Sequence, residues 1–203
     1  MMVSVISLLS NTERRKAFDE RMKELGDYNY FDAFTPSDIG EFKGLFHYSD
    51  IYDYTAFTKP SAVIACAKSH FALWKKCFES GENLLILEDD ALFTTPSSAG
   101  ILSELEPPAG FDVVFLDGEV NEGEIDIVGV SGFHGCYAYL LSPKGAGILL
   151  QEIIVSGFSA AVDWQILRMD RSKLSVWMTT GAVFIHDFGF PSNIKQKSLV
   201  KTS

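Results

Sequence analysis

The chain has 203 residues, 47% of them hydrophobic and 22% charged, which excludes a disordered polymer and suits one globular domain. Its 17 Lys and Arg face 27 Asp and Glu, a formal net charge of −10, so the surface repels phosphate backbones and nucleic acid is not an expected partner. No apolar run approaches the roughly 20 residues that span a bilayer. No two of the three cysteines have metal-ligand spacing, which fits a reducing compartment.

The chain starts apolar but lacks a basic leader, so residues 3–9 read as a buried strand rather than a signal peptide. Ser10 and Glu13 then have capping-box spacing, which predicts a helix over 11–25 that stops at Gly26. Residues 28–33 are aromatic and read as a second strand. Residues 35–59 show little periodicity and read as a long irregular region of the kind that lines a site. The clearest helix is 61–80, where Val63, Cys66, Ala67, His70, Trp74, Cys77 and Phe78 recur at helical spacing.

Residues 83–87 form an apolar strand suited to burial on both faces. A helix over 96–105, a strand over 111–116, a Gly-rich acidic loop over 120–132 and a strand over 137–141 follow. Ser142 and Pro143 start a helix with Ser as cap and Pro in the first turn. A shorter helix over 161–169 and strands over 174–178 and 182–186 complete the elements. Strands alternate with helices through the first half, which predicts an α/β fold with a mostly parallel central sheet flanked by helices. One domain over 1–190 is expected, followed by a basic tail over 191–203. That tail reads as a solvated or disordered end, or else its lysines suit a weak peripheral contact with anionic lipid.

The strongest chemical signal is Glu88-Asp89-Asp90 at the end of the strand over 83–87. Open α/β sheets bind ligands at that end of their strands. Three adjacent carboxylates repel one another and lose hydration if buried. A hard cation such as Mg²⁺ or Mn²⁺ removes that conflict and can bridge to phosphates. Strand alternation puts Glu88 and Asp90 on one side, so that pair can share a metal. The alternative is an exposed acidic turn. A phosphatase of the haloacid dehalogenase type is excluded, because Glu88 stands where such an enzyme needs its nucleophilic Asp.

Other residues have two readings each. Arg14 and Arg15 open the first helix, where a helix N-terminus and a guanidinium can face a diphosphate; otherwise they lie on a solvated face. His70 is a satisfied core histidine or a support behind the acidic turn. Asp117 and Glu119 add carboxylates to the same sheet edge. Asp163 is a general base or a first-turn acid favoured by the helix dipole. His186 closes a short strand and can complete a metal shell. Nucleotidyl transfer is disfavoured, because Ser10-Asn11-Thr12-Glu13 has no Gly where such enzymes carry a Gly-rich basic loop.

Residues 65–74, Ala-Cys-Ala-Lys-Ser-His-Phe-Ala-Leu-Trp, and 85–91, Leu-Ile-Leu-Glu-Asp-Asp-Ala, resemble glycosyltransferase family 25. That family contains lipooligosaccharide and collagen-type galactosyltransferases. Val5-Ile6-Ser7-Leu8 with Glu13-Arg14-Arg15, Phe31-Asp32-Ala33, Tyr137 to Ser142 with Gly145-Ala146, Val162-Asp163-Trp164 and Pro191 to Ile194 are also similar to it. The resemblance implies a GT-A-like fold, a UDP-sugar donor and Mn²⁺ or Mg²⁺. It puts the metal at Glu88, Asp90 and His186, the donor at Ser7, Arg14, Arg15 and Asp89, and the general base of an inverting transfer at Asp163. It implies a glycan or glycolipid acceptor such as lipooligosaccharide, galactose as the sugar, and a cytoplasmic enzyme peripheral to the inner membrane. Ala62 and Ala65 stand where the family often has Gly, and Asn193 where it often has Asp. A non-catalytic module that binds a sugar nucleotide is the alternative.

Overall fold

The computed structural model describes residues 1–47, 60–117, 135–187 and 189, and the backbone of 127–129. Glu119, most of the acidic loop, Asn193 with its closing motif, and the whole basic tail lie outside the described residues.

Seven strands form one sheet: β1 (Met2–Ser7), β2 (Asn29–Asp32), β3 (Leu84–Glu88), β5 (Val113–Phe115), β6 (Ile127–Gly129), β7 (Ala138–Leu141) and β8 (Val176–Thr179), in the order β2-β1-β3-β7-β5-β8-β6. β1 pairs in parallel with β2 and β3, and β5 with β8. β7 runs antiparallel between β3 and β5, and β6 runs antiparallel along β8. Most strands thus share one direction, as the alternation of elements predicts, and β6 and β7 run against it. An antiparallel neighbour needs no crossover helix.

Side chains sort to the two faces by strand alternation. Along β3, Leu84 and Ile86 enter one core, Leu85 and Leu87 the other, and all four are fully buried. The helices α2 (Pro60–Ser80), α4 (Pro143–Ser156) and α5 (Val162–Arg168) cover the first face, bringing Trp74, Leu149 and Ile166. The helices α1 (Thr12–Arg21) and α3 (Ser98–Glu104) cover the second with Phe18, Ile101 and Leu102. A separate antiparallel pair, β4 (Ala91–Phe93) with β9 (Phe184–His186), packs on that second face. Among the described residues, no helix is long and apolar enough to cross a membrane.

Two local expectations need correction. Ser10 does not cap α1: it lies in a turn closed by Asn11 N–H to Leu8 O at 2.9 Å, and the helix starts a residue later. The helix also ends at Arg21, and a 3₁₀ turn over Lys23–Leu25 carries the chain to Gly26. A capping box does form at Thr35 and Asp38, inside the stretch read as irregular, and starts a 3₁₀ turn over Pro36–Asp38. Ser142 caps α4 as predicted, its Oγ accepting from Gly145 N–H at 3.0 Å. At Gly145 a Cβ would lie 2.5 Å from the Asp112 carbonyl oxygen, so only Gly lets α4 approach the start of β5 this closely.

Candidate active site

Parallel strands deliver their last residues to one sheet edge. β1 ends at Ser7, β2 at Asp32 and β3 at Glu88, and Asp117 follows β5 in a bridge to Ala182. The register pairs Ser7 with Asp32 and Ile6 with Glu88, which sets these polar groups side by side. A cleft of about 240 Å³ opens here. Ser7, Arg14, Glu88, Asp89 and Asp90 line one wall, and Phe34, Ala62, Ala65, Cys66 and Ser69 the other. Both alanines place a methyl group on that second wall.

Hydrogen bonds from distant elements hold the acidic turn. Ser7 Oγ donates to Asp89 Oδ2 at 2.6 Å. Arg14 Nη2 lies 3.0 Å from Asp89 Oδ1 and 2.9 Å from Asp90 Oδ2. This arginine is 9% exposed, so it clasps the turn rather than presenting a free helix face. His186 Nε2 is 3.2 Å from Asp90 Oδ2. The Ala91–His186 register and a hydrogen bond from Asp187 N–H to Asp90 O at 2.6 Å put it there. Arg21, in the last turn of α1, pairs with Asp187 and braces the same corner.

The hydrogen bond to Asp90 raises the His186 pKa, against a smaller opposing effect of burial. Burial raises the Asp89 carboxyl, and Ser7 and Arg14 pull it back. Asp90 Oδ1 is buried and has no hydrogen-bond partner among the described residues. A carboxylate oxygen in that state suits a cation or a donor hydroxyl.

Glu88 turns the other way. Its Oε1 lies 3.1 Å from His70 Nε2. His70 Nδ1 is 2.8 Å from the Tyr139 hydroxyl, which accepts from Trp74 Nε1 at 2.9 Å. His70, Tyr139 and Trp74 are all fully buried. A carboxylate only accepts, so in the neutral imidazole Nε2 carries the proton and Nδ1 accepts from Tyr139. His70 is therefore both a core histidine and the group that orients Glu88. Cys66 Sγ, one helical turn before His70, is 3.8 Å from the same Oε1. Ligand atoms of Cys66, His70 and Glu88 lie within 4.8 Å of one another. Among the described residues Glu88, Asp90 and His186 form no such group. β3 ends at Glu88, so strand alternation does not reach Asp90, and Arg14 ties Asp90 to Asp89 instead.

Arg15 is also held. It donates to Ser7 O at 2.9 Å and to Asp32 Oδ1 at 2.6 Å, and its guanidinium lies 4.6 Å from the centre of the Tyr30 ring. Asp163, in the first turn of α5, accepts from Trp164 N–H at 2.8 Å. Burial, with a further contribution from the charge of Glu88, pushes its carboxyl up to about 6. Asp163 does not line the cleft, but its charge is felt at Cys66 and Cys136 on that side of the sheet. Cys66 and Tyr139 are the members of this edge that motif reading passes over. Each leaves a signal: Cys66 stands four residues before His70, and a buried Tyr needs a partner for its hydroxyl.

A solved glycosyltransferase involved in the glycosylation of the major capsid of PBCV-1 shares this fold, with a TM-score of 0.50, 11% identity, and 94% of this chain and 95% of that one covered. No curated protein sequence is significantly similar to the chain. Residues 1–106, just over half of the sequence, match glycosyltransferase family 25 (LPS biosynthesis protein). They contain β1, α1, α2 and the acidic turn, the elements that build the cleft wall by wall, and the chain belongs to glycosyltransferase family 25.

Proposed function

We propose that the chain transfers a sugar, galactose by the family resemblance, from a UDP-sugar to a glycan or glycolipid acceptor, with inversion, in a GT-A-like cleft. One observation carries this reading: a single cleft at the C-terminal sheet edge gathers Ser7, Arg14, Glu88, Asp89 and Asp90. Ser7 and Arg14 hold Asp89 and Asp90 in place, and Arg15 braces the Ser7 carbonyl against Asp32. His70 holds Glu88.

The donor set fits a hard cation, because Asp90 keeps a buried carboxylate oxygen without a partner beside Asp89 and His186. Asp90 would hold Mn²⁺ or Mg²⁺, with His186 alongside, and Glu88, whose Oε1 faces His70 here, would join them only by turning its carboxylate towards Asp90. Once bound, the ion neutralises charge on the departing diphosphate. Asp163, which stands outside the cleft lining, would take the proton of an acceptor hydroxyl that reaches past the cleft to the first turn of α5. The acceptor oxygen bonds to the anomeric carbon, and the bond from that carbon to the diphosphate oxygen breaks with its electron pair leaving on UDP. A carboxyl titrating at about 6 is ionised at neutral pH yet more basic than an ordinary aspartate, which suits that role. The acceptor class puts the enzyme at the cytoplasmic face of the inner membrane, where the basic tail would meet anionic lipid.

The test is a panel of nucleotide sugars scored by thermal shift with and without Mn²⁺, followed by UDP release in the presence of acceptor glycans. A UDP-sugar should raise the melting temperature in Mn²⁺ and be turned over. Binding without turnover supports the non-catalytic module, and no shift with any UDP-sugar contradicts both.

A further inference from the structure

We infer that Cys66, His70 and Glu88 form a binding site for Zn²⁺ that opens into the cleft, separate from the carboxylate oxygens of Asp89 and Asp90. The three come from two elements that pack at right register for this. Cys66 and His70 lie four residues apart in α2, on one face of the helix. Glu88 is the last residue of β3, beneath that face.

Two of the three ligand spacings are close to those of a tetrahedral zinc shell, and all three lie within 4.8 Å. With usual zinc bond lengths, a tetrahedral angle separates nitrogen from oxygen by about 3.4 Å and sulfur from oxygen by about 3.6 Å. Here His70 Nε2 is 3.1 Å and Cys66 Sγ 3.8 Å from Glu88 Oε1. The ligand types differ from those of the acidic turn. A thiolate and an imidazole favour Zn²⁺ over Mn²⁺ or Mg²⁺, which prefer oxygen.

The surroundings of His70 are those a metal-binding histidine needs. Its far nitrogen is held by the Tyr139 hydroxyl, itself fixed by Trp74, so Nε2 is aimed at the site before any ion arrives. On binding, the Nε2 proton moves to Nδ1, which then donates to the Tyr139 oxygen, and the Cys66 thiol loses its proton to solvent. Cys66 and Glu88 both line the cleft, so the fourth position faces it and stays open to water or another small ligand. Zn²⁺ there would take Glu88 away from the donor's cation and so oppose sugar-nucleotide binding.

Co²⁺ is the spectroscopic probe. The whole chain, stripped with EDTA, is titrated with Co²⁺ and followed by thiolate-to-cobalt charge-transfer absorption, then challenged with Zn²⁺. Wild type should saturate at one equivalent and lose the band when Zn²⁺ displaces the cobalt. Cys66→Ser should lack the band, and Cys136→Ser, which removes a neighbouring thiol outside the trio, should keep it. Circular dichroism of each variant shows that the fold is intact. UDP affinity in Mn²⁺ should fall at least about tenfold when Zn²⁺ is added to wild type and should not change in Cys66→Ser. No charge-transfer band in wild type, or a band that survives in Cys66→Ser, overturns the site. The band needs no turnover, so an inactive protein that shows it leaves the zinc site standing, and an active one that lacks it removes only the zinc site.

Discussion

Two aspartates are buried at opposite edges of the sheet. Asp112 immediately precedes β5 and is fully buried, with its oxygens 3.0 and 3.2 Å from Lys144 Nζ and a further hydrogen bond from Ser175 N–H at 2.8 Å. Asp90 follows β3 at the other edge, with one oxygen shared by Arg14 and His186 and the other without a partner among the described residues. The chain thus closes one buried carboxylate completely and leaves the other incomplete. Leaving a buried polar atom unpaired costs about 1–3 kcal/mol, so its persistence beside a cleft points to a ligand that completes it. Around Asp112 the polar groups hold β5, β8 and α4 together. Around Asp90 they hold a turn in a shape that packing alone does not need.

The largest expected effect lies at the open edge. Asp163→Asn should lower kcat by about 10²–10⁴-fold and leave UDP affinity within about threefold. Transfer rates within about threefold of wild type would leave Asp163 as a helix-start residue, since Asn caps well too. The same variant tests the pKa. Asp163 titrates at about 6 in the folded protein against an ordinary 3.8, so the folded state holds a proton that the unfolded state has lost. Its stability contribution is therefore present at low pH and lost as pH rises through about 6. Asp163→Asn should exceed wild type in stability at about pH 8, by on the order of 2–3 kcal/mol, and match it near pH 3. Equal stability at both pH values would show that burial does not penalise this carboxylate. Wild-type kcat/KM should fall below about pH 6 as the base is protonated.

The closed edge should respond in stability alone. Asp112→Ala orphans the Ser175 N–H and returns Lys144, whose side chain is 66% exposed, to water. Urea unfolding should show a loss of about 1–3 kcal/mol, with UDP affinity unchanged. A loss of UDP affinity in this variant would break the division between the two edges.

The comparison also explains what the sequence can and cannot reveal. The apolar face of α2, the continuous burial of β3 and the Ser142 cap are all visible as local periodicity or spacing, and each forms as expected except that Phe78, at the end of α2, is 56% exposed. Glu88, Asp89 and Asp90 are legible for the same reason: they are contiguous and end an apolar run. What holds them is not. Ser7 reaches Asp89 across 82 residues and Arg14 reaches Asp90 across 76, and no spacing rule links such positions. β4 and β9 are three residues each, too short for a period, and pair across nearly half of the chain. That pairing, with the hydrogen bond from Asp187 N–H to Asp90 O, brings His186 to Asp90. Ser10 and Glu13 have capping-box spacing, but the tight turn out of β1 moves the helix start past Ser10 and leaves Glu13 inside the first turn. Arg14 and Arg15 both lie near the sheet edge, and both are occupied by carboxylates of the chain itself.

If the acidic turn is left incomplete in order to bind a nucleotide diphosphate with its cation, UDP affinity depends on the metal through Asp90. Titration calorimetry of UDP into wild type and Asp90→Asn, each in Mn²⁺ and in EDTA, tests it directly. The substitution keeps size and removes the charge. Wild type should bind UDP at least about tenfold more tightly in Mn²⁺ than in EDTA, about 1.4 kcal/mol, and Asp90→Asn should lose that difference while retaining the wild-type fold. Equal affinity for both proteins, with Mn²⁺ and with EDTA, would contradict the account.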